Sequence, residues 1–207
     1  MLRYVPLTLT CLRFGLGPLF LWMHARGQGR PMWIWAMIAL VLVSMLTDWL
    51  DGKLARRWNV VSTLGKLLDP FADALFCMIV FISFARQSPP LMWPWVVWVL
   101  VIREAAVTFV VRPLALWKRI VMAAGWLGKI KTGLQFYTIF LVLLLLLVDS
   151  YGLERWLGWM AWLKAPSFIA IAFFSVAAFS KYVVDLARAL MGAATAGNMV
   201  RLGKEAR

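Results

Sequence analysis

Asp48, Asp51, Asp69 and Asp73 are four of the nine acidic residues in this 207-residue chain, and all lie in one stretch flanked by runs apolar enough to cross a bilayer. An ionisable side chain at that depth is expensive, so its presence points to function. Asp48 and Asp51 stand three apart, and Gly52 and Ala55 follow four and seven positions after Asp48, which places all four on one face of a helix. On the next helix Gly65, Asp69 and Asp73 recur at intervals of four, with Ala72 beside them. Brought face to face, these surfaces form a pocket of four carboxylates floored by exposed backbone.

Four carboxylates so close cannot all stay ionised in a low dielectric unless they share something positive. A hard divalent cation such as Mg²⁺, Mn²⁺ or Ca²⁺ suits an all-oxygen cage, and one with open positions also holds phosphate oxygens. Gly52 and Ala55 leave room for a bulky group against the helix, and Arg56 is placed to pair with a phosphate. Each residue alone has a plainer reading: an intramembrane Asp as partner of a cation, Gly65 as a close-packing position, Arg56 as an interfacial anchor. Four aspartates in register on neighbouring helices favour the cation.

The elements that must carry this pocket are membrane helices. The composition is 63% hydrophobic, far above a soluble domain, and predicts an all-α polytopic membrane protein in a single domain, 1–207. Apolar runs predict six transmembrane helices near 8–24, 32–57, 64–85, 93–111, 131–148 and 168–188, after a short N-terminal interfacial segment and before a flexible basic tail from about 190 to 207. Pro70 directly follows Asp69, where it disturbs a helix locally but is tolerated in a membrane. Cys11 and Cys77 sit in apolar runs without metal-ligand spacing and read as packing residues. His24 is the one histidine, ends an apolar run, and supports no Ser/His/Asp or Cys/His catalytic set.

The net charge is +13, with the basic residues gathered at span ends, which favours anionic lipid and phosphate-bearing substrates over nucleic acid. With six spans, 17 of the 22 Lys and Arg fall on the side of both termini and five on the other. That bias places both termini, and the acidic pocket, on the cytoplasmic side of the cell inner membrane. A cytoplasmic nucleotide can reach the pocket there.

The stretch 48–73 fits D-x2-D-G-x2-A-R-x8-G-x3-D-x3-D at all eight fixed positions, and so resembles the CDP-alcohol phosphotransferase family. A chance match has a probability on the order of 10⁻¹⁰ per starting point. The resemblance implies that Asp48, Asp51, Asp69 and Asp73 bind Mg²⁺ or Mn²⁺, and that Asp73 is also the catalytic base. It further implies that Asp48, Gly52, Ala55, Arg56 and Gly65 contact the nucleotide, and that the protein is a six-span homodimer with a cytoplasmic-side site. Two departures stand outside the eight positions: Pro6-Leu7 where the family often has Pro-Asn, and Ala74 where it often has Lys.

Ile102-Arg103-Glu104, then Arg112, then Gly128-Lys129-Ile-Lys131-Thr132-Gly-Leu-Gln135 resemble the branch of that family that forms phosphatidylglycerophosphate, as does Leu9-Thr10-x-x-Arg13. The resemblance implies transfer of a phosphatidyl group from CDP-diacylglycerol to sn-glycerol 3-phosphate, releasing CMP, with Arg103, Arg112, Lys129 and Lys131 binding the acceptor. A basic set of this kind is what an acceptor bearing its own phosphate requires. Span ends attract Lys and Arg in any case, and Arg103 has Glu104 as a possible partner. Other acceptors, inositol phosphate or phosphatidylglycerol, keep the same chemistry. A divalent-cation transporter is the rival from another class, though it leaves Gly52, Ala55 and Arg56 without a role, and an inactive scaffold is a third.

Overall fold

In the computed structural model the backbone is described for residues 5–27, 29–57, 63–87, 90–118, 126–153, 155 and 158–205, and side chains for 13–27, 29–47, 50, 71–87, 90–118, 126–153, 155 and 158–191. Long helices follow one another: α1 (Val5–Gly27), α2 (Pro31–Arg57), α3 (Thr63–Arg86), α4 (Pro94–Ala106), α5 (Arg112–Trp117), α6 (Trp126–Ser150) and α7 (Lys164–Glu205). A π-helical turn, Val107–Val111, joins α4 to α5, and a 3₁₀ turn, Gly158–Leu163, leads into α7. The described residues contain no strand. The all-α expectation therefore holds.

By length and composition, three described stretches suffice to cross a membrane: Pro94–Trp117, Trp126–Ser150 and Gly158–Met191. Pro31–Thr47 is a shorter apolar helix. The helix turns fall where small residues permit them: Gly29 and Gly152 take left-handed φ values of 78° and 66°, open to glycine at no steric cost. α3 runs through Pro70 unbroken. α7 continues as helix to Glu205, through the basic segment expected as a tail from about 190 to 207. Ala, Leu and Met dominate 186–195 and no proline interrupts the run, so helix propagation meets no stop there.

Polarity is turned inside out. Trp98, Ile102, Phe109, Val110, Ile169 and Phe173 point outward, whereas Ser44, Thr47, Ser83, Thr138, Ser167 and Ser175 are buried. Such an exterior faces lipid. Four of these hydroxyls return their proton to their own helix: Thr47 to the Ser44 carbonyl, Ser83 to Val80, Thr138 to Leu134 and Ser167 to Leu163, at 2.6–2.9 Å. Those four buried hydroxyls are thereby satisfied between helices, whereas Ser175 Oγ has no hydrogen-bond partner among the described residues.

α1 packs on both α2 and α3, and α7 packs on α4 and α6. The core between them centres on Phe20, Phe76, Phe81 and Phe84 of α1 and α3, with Val41, Leu100, Leu143 and Ile171 from the other helices. Phe20 is fully buried and meets Phe76 and Phe84 edge-on at centroid distances of 6.4 and 6.0 Å. In a membrane this close packing, more than water exclusion, holds helices together. Phe20→Ala is expected to lose about 3–5 kcal/mol, read as a lower thermal midpoint in detergent.

Candidate active site

α2 carries Asp48 and Asp51 near its C-terminal end, and α3 carries Asp69 and Asp73 in its first half. The side chains of Asp48, Asp51, Gly52, Ala55, Arg56, Gly65 and Asp69 lie outside the described residues. Asp73 is described, and it is held from an unexpected quarter. Arg13 of α1 donates from Nη1 to Asp73 Oδ1 at 2.6 Å, with the arginine side chain fully buried and the aspartate 45% exposed. The guanidinium thus fixes the carboxylate from inside while its outer edge stays accessible. Nearby, Phe71 is flanked by Phe14 of α1 at 5.8 Å and Phe109 of the π turn at 5.2 Å, which braces this turn of α3.

The four basic residues expected to bind an acceptor come together. Arg103 on α4, Arg112 on α5, and Lys129 and Lys131 on α6 all line one cavity of about 560 Å³, along with Glu104, Tyr182 of α7 and Met45 of α2. Met45 stands three residues before Asp48 on α2, so the basic cavity adjoins the helical turn that carries the first aspartate.

The π turn helps align the set. The Arg112 N–H bonds the Val107 carbonyl, five residues back. Uninterrupted α-helix would set Arg112 about 80° around the axis from Glu104, and one extra residue in the turn reduces this to about 20°. Pro113 explains why the helix widens here: it has no N–H for the Phe109 carbonyl, and its ring would clash with that carbonyl in a tight α turn.

Within the cavity the charges are not equivalent. Glu104 Oε2 accepts from Arg103 Nη1 at 2.7 Å and from Lys131 Nζ at 2.5 Å, and all three side chains are at most 13% exposed. The Arg103–Glu104 pairing that competes with an acceptor role is therefore present, and Lys131 shares it. Buried Arg103 Nε has no hydrogen-bond partner among the described residues. Arg112 is half-buried, Lys129 is exposed, and neither forms an ion pair among the described residues. Four cations against one carboxylate leave the cavity with three excess positive charges, suited to a phosphate dianion.

A larger cavity of about 840 Å³ lies at the opposite end of the bundle, lined by His24, Ser83, Arg86 and Gln87, and gathers none of the expected site residues. His24 packs there between Phe20 and Phe84. Cys77 is buried with a free thiol. Arg13, Glu104 and Tyr182 were not singled out as site residues from the sequence. An arginine within the first apolar run was the available signal for Arg13, and the acid beside Arg103 was the signal for Glu104. Nothing local marks Tyr182.

The apolar α-helical bundle thus brings together aspartates on two helices, a buried arginine holding one of them, and an adjoining cationic cavity. The chain belongs to the CDP-alcohol phosphatidyltransferase family, whose family model matches residues 3–167. It is 38% identical over 164 residues to a cardiolipin synthase (CMP-forming) of Streptomyces coelicolor, covering 78% of this chain and 70% of that protein. It is 34% identical over 153 residues to the CDP-diacylglycerol–glycerol-3-phosphate 3-phosphatidyltransferase of Bacillus subtilis, covering 68% of this chain and 76% of that protein. A protein of the same name from Pectobacterium atrosepticum is 30% identical over 147 residues, covering 67% and 76%. The family match takes in the aspartates and the basic residues of α4 to α6 but ends before Tyr182.

Proposed function

We propose that this protein transfers the phosphatidyl group of CDP-diacylglycerol to sn-glycerol 3-phosphate, giving phosphatidylglycerophosphate and CMP. The observation that carries the reading is the cavity with three excess positive charges beside the aspartate-bearing turn of α2. An acceptor with its own phosphate dianion needs such a cavity, and a neutral alcohol does not. The B. subtilis and P. atrosepticum relatives, named for this reaction, support it.

Asp48, Asp51, Asp69 and Asp73 offer only oxygen donors, a set that fits Mg²⁺ or Mn²⁺. The ion, when bound, supplies charge neutralisation at the diphosphate. Gly52, Ala55, Arg56 and Gly65 contact the nucleotide, while the acyl chains stay in lipid. Arg112 and Lys129 hold the acceptor phosphate and aim its hydroxyl at the phosphatidyl phosphorus. Asp73, steadied by Arg13, takes the hydroxyl proton as the new P–O bond forms and the bond to CMP breaks. The chain works as a six-span homodimer in the inner membrane, with its termini and site on the cytoplasmic side, a placement that the 17-to-five distribution of basic residues supports.

The S. coelicolor relative favours a second reading, in which phosphatidylglycerol is the acceptor. Competition separates the two. Purified protein is given CDP-diacylglycerol, Mn²⁺ and equal amounts of both acceptors, and the lipid products are weighed by mass spectrometry. Phosphatidylglycerophosphate is expected to dominate, and cardiolipin as the main product replaces the first reading with the second.

A further inference from the structure

Lys131 and Arg103 line the cationic cavity, yet both already donate to one carboxylate oxygen, Glu104 Oε2, at 2.5 and 2.7 Å. A carboxylate inside an anion-binding cavity opposes the ligand by simple charge, so its presence there calls for another role. We propose that Glu104 is a positioning residue that clamps Lys131 and Arg103 into a fixed cationic floor, leaving Arg112 and Lys129 to meet the acceptor's phosphate. This rests on the acceptor reading above.

The geometry divides the labour. Arg103 and Lys131 are 6% and 8% exposed at their side chains, on α4 and α6, and Glu104 ties the two helices together across a sequence separation of 27. Lys131 and Arg103 would repel each other without that carboxylate and swing away from the floor. Their positive field still reaches the cavity, since two cations share a single negative charge. Arg112 and Lys129, more exposed and without ion pairs among the described residues, have donors to spend on a ligand.

Two substitutions at this position pull the possibilities apart. Glu104→Gln removes the charge, and Glu104→Asp keeps it but is too short to reach both cations. Initial rates of CMP release in detergent give KM for glycerol 3-phosphate and, separately, for CDP-diacylglycerol. A clamp predicts a KM for glycerol 3-phosphate raised about tenfold or more in Glu104→Gln and about threefold in Glu104→Asp, with KM for CDP-diacylglycerol unchanged. If Glu104 merely offsets charge, Glu104→Gln lowers that KM and Glu104→Asp matches wild type, and the proposal is overturned. Glu104→Asp retains the charge the two buried cations need, so it decides the question even where Glu104→Gln does not fold. Wild-type protein that releases no CMP with glycerol 3-phosphate overturns the acceptor reading itself, a result distinct from either variant outcome.

Discussion

Asp73→Asn is expected to lower CMP release by about three orders of magnitude or more, because one substitution removes both a metal-ligand charge and the base for the acceptor hydroxyl. Asparagine keeps an oxygen to accept from Arg13 but withdraws the charge that the fully buried guanidinium faces, so the thermal midpoint should fall and rates are to be compared well below it. Asp69→Asn should lose comparable activity for a different reason, since Asp69 is proposed as a ligand alone. Raising Mn²⁺ should therefore restore part of the activity of Asp69→Asn and little of Asp73→Asn. Equal rescue of both variants would sink the assignment of Asp73 as base.

The second large effect belongs to Arg112. Neutralising it in Arg112→Gln removes a charge-assisted contact worth about 1.5–3 kcal/mol, equivalent to a rise of roughly tenfold to a hundredfold in KM for glycerol 3-phosphate. KM for CDP-diacylglycerol should stay put, because Arg112 lines the acceptor cavity on α5. Arg112 has no ion pair among the described residues, so its loss strands none of the described carboxylates, and the thermal midpoint is expected to stay near that of wild type. Steady-state kinetics with each substrate varied in turn check this. A rise confined to KM for CDP-diacylglycerol would move Arg112 to the nucleotide side and empty the charge argument for the acceptor.

What could be read from the chain depended on how local the physics was. Carboxylates three or four apart beside Gly and Ala are a helical pattern with a chemical meaning, and among the described residues three helical stretches are long and apolar enough to cross a membrane. Arg103, Arg112, Lys129 and Lys131 could be picked out as a set, and they share one cavity. The pairing of Arg103 with the adjacent Glu104 could be anticipated, but the share of Lys131 in it could not, because it depends on Glu104 reaching across 27 residues. Arg13 likewise gains its meaning from Asp73, 60 positions later. The π turn was legible in principle: Pro113 inside a long helical run demands an adjustment one turn earlier, and there the helix widens. A segment without an apolar face offers no helical pattern to read, so the run of α7 as far as Glu205 was not legible.

Acceptor-dependent phosphatidyl transfer at the junction of the aspartates and the cationic cavity is the reaction proposed for this protein. Its most direct test is CMP release by purified protein in detergent, with CDP-diacylglycerol and Mg²⁺ or Mn²⁺, across a panel of glycerol 3-phosphate, inositol phosphate, phosphatidylglycerol and no acceptor. The expected result is CMP formed with glycerol 3-phosphate and abolished on chelation of the metal. Release with another alcohol alone would contradict the assignment of the cavity to this acceptor, and no release with any of them would contradict the transferase reading altogether.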